Sequence, residues 1–524
     1  MNNNDSYDAI VIGSGLGGLT AGAVYARAGK RVLVLERNEK FGGAATVFKR
    51  DRLSIEVALH EIDGLDPGDP KMRVLKRLGL LDNIRMLPID HLYEVRHPML
   101  GERFVMPDGV APAIEYLTQR FPRHRAAIER YFRILGQIRT KAAALIDHMD
   151  SRWWWLLNGP IFPLRFWPLL RYERTTVGAL LQDLFGDDEA IKLALCGNIL
   201  YYTNDPDRFA LLYHGVAQGS FHIGGGHYVQ GGSQAISDRL VEIIREAGGE
   251  AMNRRVVTKI LLHDGRAVGV EHERFQFPGR PAEGQPDRRT HRTPVLFGNA
   301  APQVLADMLP DTHRENFLTR YRNIPMSTAL WNVYLGLDRK ASEFGVTAYS
   351  TFVYPDWFKG ISDMRRSAGL LREMPGDKLP MFEFVDYSYV NPTPPDGEYF
   401  PATICGFDDM RNWDGLDSPA YQARKNAWME RMIAALDGTY PGIAGSIVHK
   451  EMATARALQG YLNTPGGAVY GFAQEPMHAG RHRPSCKTRV RGLWLASAFA
   501  RPGGGFTAAM LAGEAAADAA IRQG

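Results

Sequence analysis

Residues 7–46, YDAIVIGSGLGGLTAGAVYARAGKRVLVLERNEKFGGAAT, constrain the fold more than any other stretch of this chain. An apolar run at Ala9–Ile12 feeds a turn in which Gly13, Gly15 and Gly18 keep G-x-G-x-x-G spacing. A helix of small residues follows, then Gly29, then a second apolar run that ends in Glu36. Each part has a physical task. Gly13 permits the tight turn, Gly15 lets a pyrophosphate approach the backbone, and Gly18 lets the helix pack on its strand. The helix start offers free N–H groups and the positive end of its dipole to phosphates. Glu36 is placed to accept hydrogen bonds from a ribose. The stretch predicts a strand–turn–helix–strand unit of an α/β, Rossmann-type dinucleotide domain. Alone it admits NAD or FAD, and the pair Gly42-Gly43 just past the acid points towards FAD.

A chain of 524 residues can bury a sizeable core and suggests roughly two to four structural units. The net charge of +4 does not suggest nucleic acid and is compatible with an anionic membrane surface. Cys196, Cys405 and Cys486 are isolated, so no disulfide framework, C-x-x-C pair or zinc spacing can be built, and no metal site is expected. A reducing compartment is the simple reading. The start, MNNNDSYD, has no basic n-region, and no signal peptide is expected.

Further along, RDRLSIEVALHEIDGLDPGDP reads as an alternating strand broken by Gly and Pro, with Glu56, His60 and Glu61 in or beside it. Segment 71–150 is helical in pattern. Residues 153–170, WWWLLNGPIFPLRFWPLL, are unusual. From Trp153 to Leu170 the apolar length approaches a membrane span of roughly 20 residues. Pro160, Pro163 and Pro168 argue against a continuous spanning helix. Trp beside Arg is an interfacial composition, so the segment is read as a monotopic membrane patch and the mouth of a lipid tunnel. The competing reading is a Pro-broken loop packed on the protein itself or on another subunit.

Residues 174–214 are read as helical, and Gly231-Gly232-Ser233 open an amphipathic helix. Short strands follow, with a hairpin turn at Asp264-Gly265. Residues 278–293 are read as an exposed loop carrying Arg288, Arg289 and Arg292. TPVLFGNAAP is a strand, residues 311–470 mix strands with a proline-rich loop at 391–401 and a helix at 420–437, and the chain closes with a strand, a Pro-Gly-Gly-Gly turn at 502–505 and an Ala-rich helix. No second G-x-G-x-x-G marks a separate NAD(P) domain.

Taken together, the two ends resemble the FAD-dependent amine oxidase-like superfamily. The match runs through Gly13, Gly15, Gly18, Glu36, Gly42 and Gly43, then GGSQAISDRL, VVTKILLHDGRAVGV and VLFGNAAP. It ends in TPGGAVYGF and GLWLASAFARPGGGFTAAMLAGEAAA, whose GGAVYGF and PGGGF resemble the phytoene desaturase, carotenoid isomerase and retinol saturase branch. Where many relatives carry Gly-Asp to contact the ribityl chain, this sequence has Ser497-Ala498. The resemblance implies FAD as cofactor, a discontinuous FAD-binding domain (1–70, 215–310 and 470–524) and a substrate or membrane-facing domain of mixed sheet and helices (71–214 and 311–469). Arg37 and, on the strand beside the adenine, Val257 join the nucleotide set. Gly504, Gly505, Phe506 and Thr507 are implied at the flavin end.

The implied activity is oxidoreduction at carbon–carbon bonds of a long apolar lipid, a carotenoid- or retinoid-like polyene or a modified fatty acid. Desaturation, saturation and cis–trans isomerisation all remain open. Such chemistry needs little acid–base help, and the sequence shows no polar catalytic constellation. His60 is the candidate for proton handling because its pKa suits a shuttle. Glu56 and Glu61 read as ordinary exposed acids or salt-bridge partners, Tyr201 and Tyr202 as packing, and His227 and Tyr228 as candidates to line the pocket. An FAD amine oxidase, or a flavin-binding protein without turnover, is the alternative. The protein is expected on the cytoplasmic side as a peripheral membrane protein, with homo-oligomerisation open.

Overall fold

The computed structural model describes residues 6–50, 52–58, 60–146, 152–277, 287–393 and 399–523. A five-stranded parallel sheet orders its strands Glu250–Met252, Val32–Leu35, Ala9–Ile12, Leu296–Gly298 and Leu493–Leu495. Strands 9–12 and 32–35 are apolar and buried throughout, as strands covered on both faces must be. The helix Leu16–Arg27 lies against the C-terminal helix Phe506–Ile521, and small residues set the separation. A Cβ on Gly513 would stand 2.1 Å from the Gly17 carbonyl oxygen, so the first and last helices cross at backbone contact. The two ends of the sequence are thereby locked together.

A hairpin of Arg255–His263 and Arg266–Arg274 turns at Asp264 and Gly265, with φ of +49° and +69°. Two successive left-handed residues are what a two-residue hairpin turn requires. A third strand, Arg289–Arg292, pairs with it. The loop expected at 278–293 is corrected to that extent. Thr290 and its neighbours complete a ladder, and 278–286 lie outside the described residues.

The second large sheet has seven strands, in the order Ile447–Ala453, Ala329–Leu337, Phe400–Asp408, Phe382–Asp386, Ser350–Val353, His91–Arg96 and Phe104–Pro107. The purely helical pattern read for 71–150 is therefore corrected. Residues 91–96 and 104–107 are strands whose short alternation was masked by flanking helices. Helix Leu211–Gly224 runs on into the glycine-rich passage, because Gly215 and Gly219 let helix Arg125–Ile146 approach closely. Of the loop at 391–401, residues 394–398 lie outside the described residues, and Phe400 onward is strand.

Residues 152–171 form three short helices, Arg152–Asn158, Phe162–Arg165 and Trp167–Arg171, broken around the prolines. Among the described residues no helix is long and apolar enough to cross a membrane. Trp153, Leu157 and Leu164 are 77%, 74% and 84% exposed, far more than side chains of this size normally are.

Candidate functional site

The glycine loop builds one end of a cavity of about 780 Å³. Gly13 sits at φ +87°, where only glycine is comfortable. Gly15 precedes helix 16–27, and no side chain caps that helix start. The Gly15 α-carbon is pressed by Asn299, whose Oδ1 would lie 2.5 Å from an added Cβ. Glu36 is buried and fixed at three points: Ser14 donates through its backbone N–H at 2.8 Å and its hydroxyl at 2.6 Å, and Asn38 N–H donates at 2.8 Å. The Ser14 hydroxyl oxygen in turn accepts from Gly42 N–H at 3.1 Å. This draws Gly42-Gly43 over the loop, where a Cβ on Gly43 would stand 3.2 Å from the Gly15 α-carbon. Val257 is buried and lines the same end of the cavity. Arg37 also lines it, yet its guanidinium is occupied, donating to the carbonyls of Gly460 and, at 2.8 Å, Tyr461.

The far end of the chain closes the cavity. Gly504 has φ +100°, and a Cβ there would stand 2.0 Å from the Tyr213 hydroxyl. Gly505 precedes helix 506–521, again with no side chain capping it. Gly504, Gly505, Phe506 and Thr507 all line the cavity. Ser497, which stands where an acid was missed in the sequence, is buried and takes a 3.4 Å bond from Phe499 N–H. Beneath it Arg483 donates to the carbonyls of Phe472, Ala473 and Ala498 at 2.8, 3.2 and 2.8 Å. Burial lowers its pKa to about 10.

These residues fit FAD. Two uncapped helix starts face one cavity, a fixed carboxylate stands at the end of the second strand, and the backbone is bare where a Cβ would intrude. Gly13, Gly15, Glu36, Gly42, Gly43 and Val257 would hold the adenine half, while Gly18, outside the lining, serves the packing of the helix on its strand, where a Cβ would stand 2.6 Å from the Gly13 carbonyl oxygen. Gly504 to Thr507 would hold the flavin half. When bound, FAD supplies two-electron, hydride-type exchange with carbon.

Thr507 carries a further connection. Its hydroxyl donates to Asp63 Oδ1 at 3.1 Å. Lys71, fully buried, lies 2.9 Å from Asp69 Oδ1 and 3.5 Å from Asp63 Oδ1, and donates to the Gly64 carbonyl at 2.5 Å. Asp69 accepts from Ser220 at 3.0 Å, and Ser220 accepts from Arg139 at 3.1 Å. A buried ionic chain thus joins the flavin end to helix 125–146.

Beyond this point the cavity becomes apolar. Leu200, Leu212, Val216, Leu145 and Leu330 line it, and it reaches Trp155, Phe162 and Leu169 in the Trp-rich segment. A polar island adjoins this lining. Glu383, wholly buried on strand 382–386, accepts from Tyr201 at 2.6 Å and Ser350 at 2.9 Å through Oε1. Its Oε2 lies 3.0 Å from His60 Nδ1 and accepts from the Cys405 thiol at 3.4 Å. His60, Glu61 and Tyr201 face the cavity.

The expectation that no polar constellation exists is therefore corrected, as is the reading of Tyr201 as packing. Glu383, Ser350 and Cys405 were missed; the available signal was an acid inside the apolar run MFEFVDY. Glu61 is no exposed acid, since both its carboxylate oxygens are buried. Glu56 is likewise buried and structural, accepting from Ser233 N–H at 2.8 Å and Ser233 hydroxyl at 2.6 Å to anchor helix Gln234–Glu246. His227 and Tyr228 lie outside the cavity lining, on a strand paired with Ile62–Asp63. His60, Glu383 and Cys405 have ligand-type atoms within 4.8 Å of one another. They bond to each other, and the geometry is that of a hydrogen-bonded cluster.

The family described as an NAD(P)-binding Rossmann-like domain matches residues 11–78. All-trans-retinol 13,14-reductase of Homo sapiens is 24% identical over 508 residues, covering 93% of this chain and 80% of the relative. Chloroplastic prolycopene isomerase of Arabidopsis thaliana is 25% identical over 548 residues, covering 99% and 84%. Among solved structures, cyclohexylamine oxidase from Brevibacterium oxydans shares the fold with a TM-score of 0.60 at 15% identity, covering 99% of both chains. The resemblance drawn from the two ends of the sequence extends across the chain, which is similar over nearly its whole length to retinol 13,14-reductases and prolycopene isomerases and shares the fold of solved flavoprotein-type oxidases.

Proposed function

We propose that the protein acts on carbon–carbon double bonds of a long polyene lipid, by saturation or cis–trans isomerisation. The observation that carries this reading is a single cavity running from the glycine cradle, through an apolar lining, to the exposed Trp-rich segment. Such a shape admits an extended apolar molecule end-on and excludes water from the reacting carbon. The named relatives, a retinol reductase and a prolycopene isomerase, support the same substrate class. Among the described residues no lysine lines the cavity, which weakens the amine oxidase alternative. The chain's own residues would bind the two halves of FAD and orient the polyene along the apolar part of the lining, with His60 and Tyr201 among the polar residues beside it.

The test is anaerobic incubation of detergent-purified protein, oxidised and dithionite-reduced, with all-trans-retinol, a poly-cis carotenoid and cyclohexylamine. The expected result is a polyene product that has gained two hydrogens or changed geometry at unchanged mass. Bleaching by cyclohexylamine with every polyene recovered unchanged would overturn the reading.

We further propose that residues 152–171 dock on a membrane surface and receive substrate from it. Exposed Trp153, Leu157 and Leu164 support this, since burying such side chains in the interface is favourable by about 25 cal/mol per Å². The triple substitution Trp153→Glu, Leu157→Glu, Leu164→Glu is expected to weaken co-sedimentation with phosphatidylcholine/phosphatidylglycerol vesicles by at least about tenfold. It should leave flavin content unchanged, because none of the three lines the cofactor end. Undiminished sedimentation would refute membrane docking through this face.

A further inference from the structure

The seven-stranded sheet turns a row of polar side chains towards the cavity. Strand 329–337 alternates: Trp331 and Val333 belong to the core behind the sheet, while Leu330 and Asn332 line the cavity. Asn332 is paired with Cys405 on strand 400–408, and Cys405 is paired with Glu383 on strand 382–386. Directly opposed residues carry their side chains on one face, with Cβ atoms roughly 5 Å apart. His60 meets this row, its Nδ1 standing 3.0 Å from Glu383 Oε2 and 4.0 Å from Cys405 Sγ.

Two polar groups here have no protein partner among the described residues. Asn332 is 3% exposed, and its carboxamide makes no hydrogen bond there. His60 is 8% exposed, and Nδ1 is its one engaged ring nitrogen. Neither the Asn332 amide nor His60 Nε2 is sealed off, as both Glu61 oxygens are. A buried polar group facing a cavity without a partner is costly until a ligand or a water supplies one. The neighbouring bonds assign the imidazole tautomer. Glu383 already accepts from Tyr201, Ser350 and Cys405, and accepts from His60 as well. The ring proton therefore sits on Nδ1, and Nε2 is an acceptor. Asn332 adds a donor through Nδ2.

Resting on the reading of the substrate as a long polyene, we infer that His60 Nε2 and the Asn332 carboxamide form a binding subsite for a hydroxyl group carried by that substrate. A hydroxyl donates its proton to Nε2 and accepts from Nδ2, which satisfies both groups at once. A carbonyl has only lone pairs, so it would use Asn332 and be repelled by the lone pair of Nε2. A hydrocarbon would leave both groups buried and unpaired. No bond is made or broken at this subsite. Its effect is on register: an apolar lining holds a conjugated chain but packs against one stretch of it as well as the next. One hydrogen-bonded anchor fixes how far the chain enters, and with it which double bond reaches the reacting position.

The test is equilibrium binding, without turnover, to the detergent-purified oxidised protein under nitrogen, read by quenching of tryptophan fluorescence. Three probes share one carbon skeleton: all-trans-retinol, all-trans-retinal, and the hydrocarbon that ends in a methyl group instead. Wild type is expected to bind the alcohol at least about tenfold more tightly than the aldehyde or the hydrocarbon. Asn332→Leu is close in size and loses no protein hydrogen bond, so it should fold and load flavin normally. It should bind the hydrocarbon at least as well as wild type does and lose the preference for the alcohol. Equal wild-type affinity for alcohol and hydrocarbon, the result if the pair holds only water, would overturn the subsite and leave the polyene reading standing. An aldehyde bound more tightly than the alcohol would overturn the hydroxyl assignment, because it requires a proton on Nε2. Asn332→Leu weakening all three probes alike would reveal a structural role and count against the inference, as would an undiminished preference. If wild type bound none of the probes, the polyene reading itself would fall, and the subsite with it.

Discussion

Gly15→Val is expected to yield protein that purifies without flavin and takes up none when incubated with excess FAD. The reason is local. Even the first carbon of a side chain at this position would stand 2.5 Å from Asn299 Oδ1, well inside contact distance. Asn299 cannot retreat freely, because its side-chain amide donates to the Ala496 carbonyl at 2.7 Å. That bond joins the ends of strands 296–298 and 493–495, the two strands that deliver the glycine cradle and the C-terminal turn to one cavity. The remaining atoms of valine would stand where a pyrophosphate must approach the helix start. The backbone at Gly15 is extended, with φ −62° and ψ 163°, so valine does not strain the backbone itself; the clash is confined to the Asn299 side chain, and far-ultraviolet circular dichroism should be preserved. Gly136→Ala, in the middle of helix 125–146 with no atom within 4 Å of the new carbon, serves as control and should retain full flavin. The check is the ratio of flavin to protein absorbance after purification. Stoichiometric flavin in Gly15→Val would mean that the dinucleotide does not pass the first helix start as described.

The contrast between Gly15 and Glu383 shows what the sequence could and could not disclose. The glycine loop, both its strands, the helix and Glu36 lie within thirty residues, and every contact that defines them is local or one strand away. Spacing alone therefore displays them. The C-terminal turn was legible for the same reason, with its glycines, its strand and its helix contiguous. The polar island is different. His60 and Glu383 meet across 323 positions, and Ser350 and Cys405 reach the same carboxylate from two neighbouring strands. Each is unremarked in its own segment, and only the register of the seven-stranded sheet brings them together. Glu61 was misread because composition assigns a lone acid to the surface. Its burial depends on Gly226, 165 positions away and silent as to partners. The Trp-rich segment was visible as composition and its breaks as prolines, while its place at the end of the cofactor cavity came from tertiary packing.

Lys71→Met is expected to destabilise the protein by about 3–5 kcal/mol and to lower its affinity for FAD at the same time. Lys71 is wholly buried between Asp63 and Asp69, and methionine matches its length without its charge. The substitution leaves two carboxylates sealed from water with their shared cation gone, which is the costly half of breaking a buried ion pair. Arg139 compensates little, since it already serves Asp66 and stands 3.6 Å from Asp69. The effect reaches the cofactor because Asp63 holds the Thr507 hydroxyl at the start of the helix that closes the flavin end. The pH dependence has a definite sign. Burial raises the pKa of Asp63, Lys71 opposes that rise, and removing Lys71 raises it further. An acid whose folded pKa lies above its unfolded value, near 4, favours the folded state increasingly as pH falls through the raised value. The deficit of Lys71→Met should therefore be greatest at pH 8 and shrink towards pH 5. Denaturant midpoints of wild type and variant at both pH values, together with FAD titrations, measure the two effects. A deficit that grows on acidification would show that Asp63 does not carry the charge left behind, and an unchanged FAD affinity would break the link drawn through Thr507.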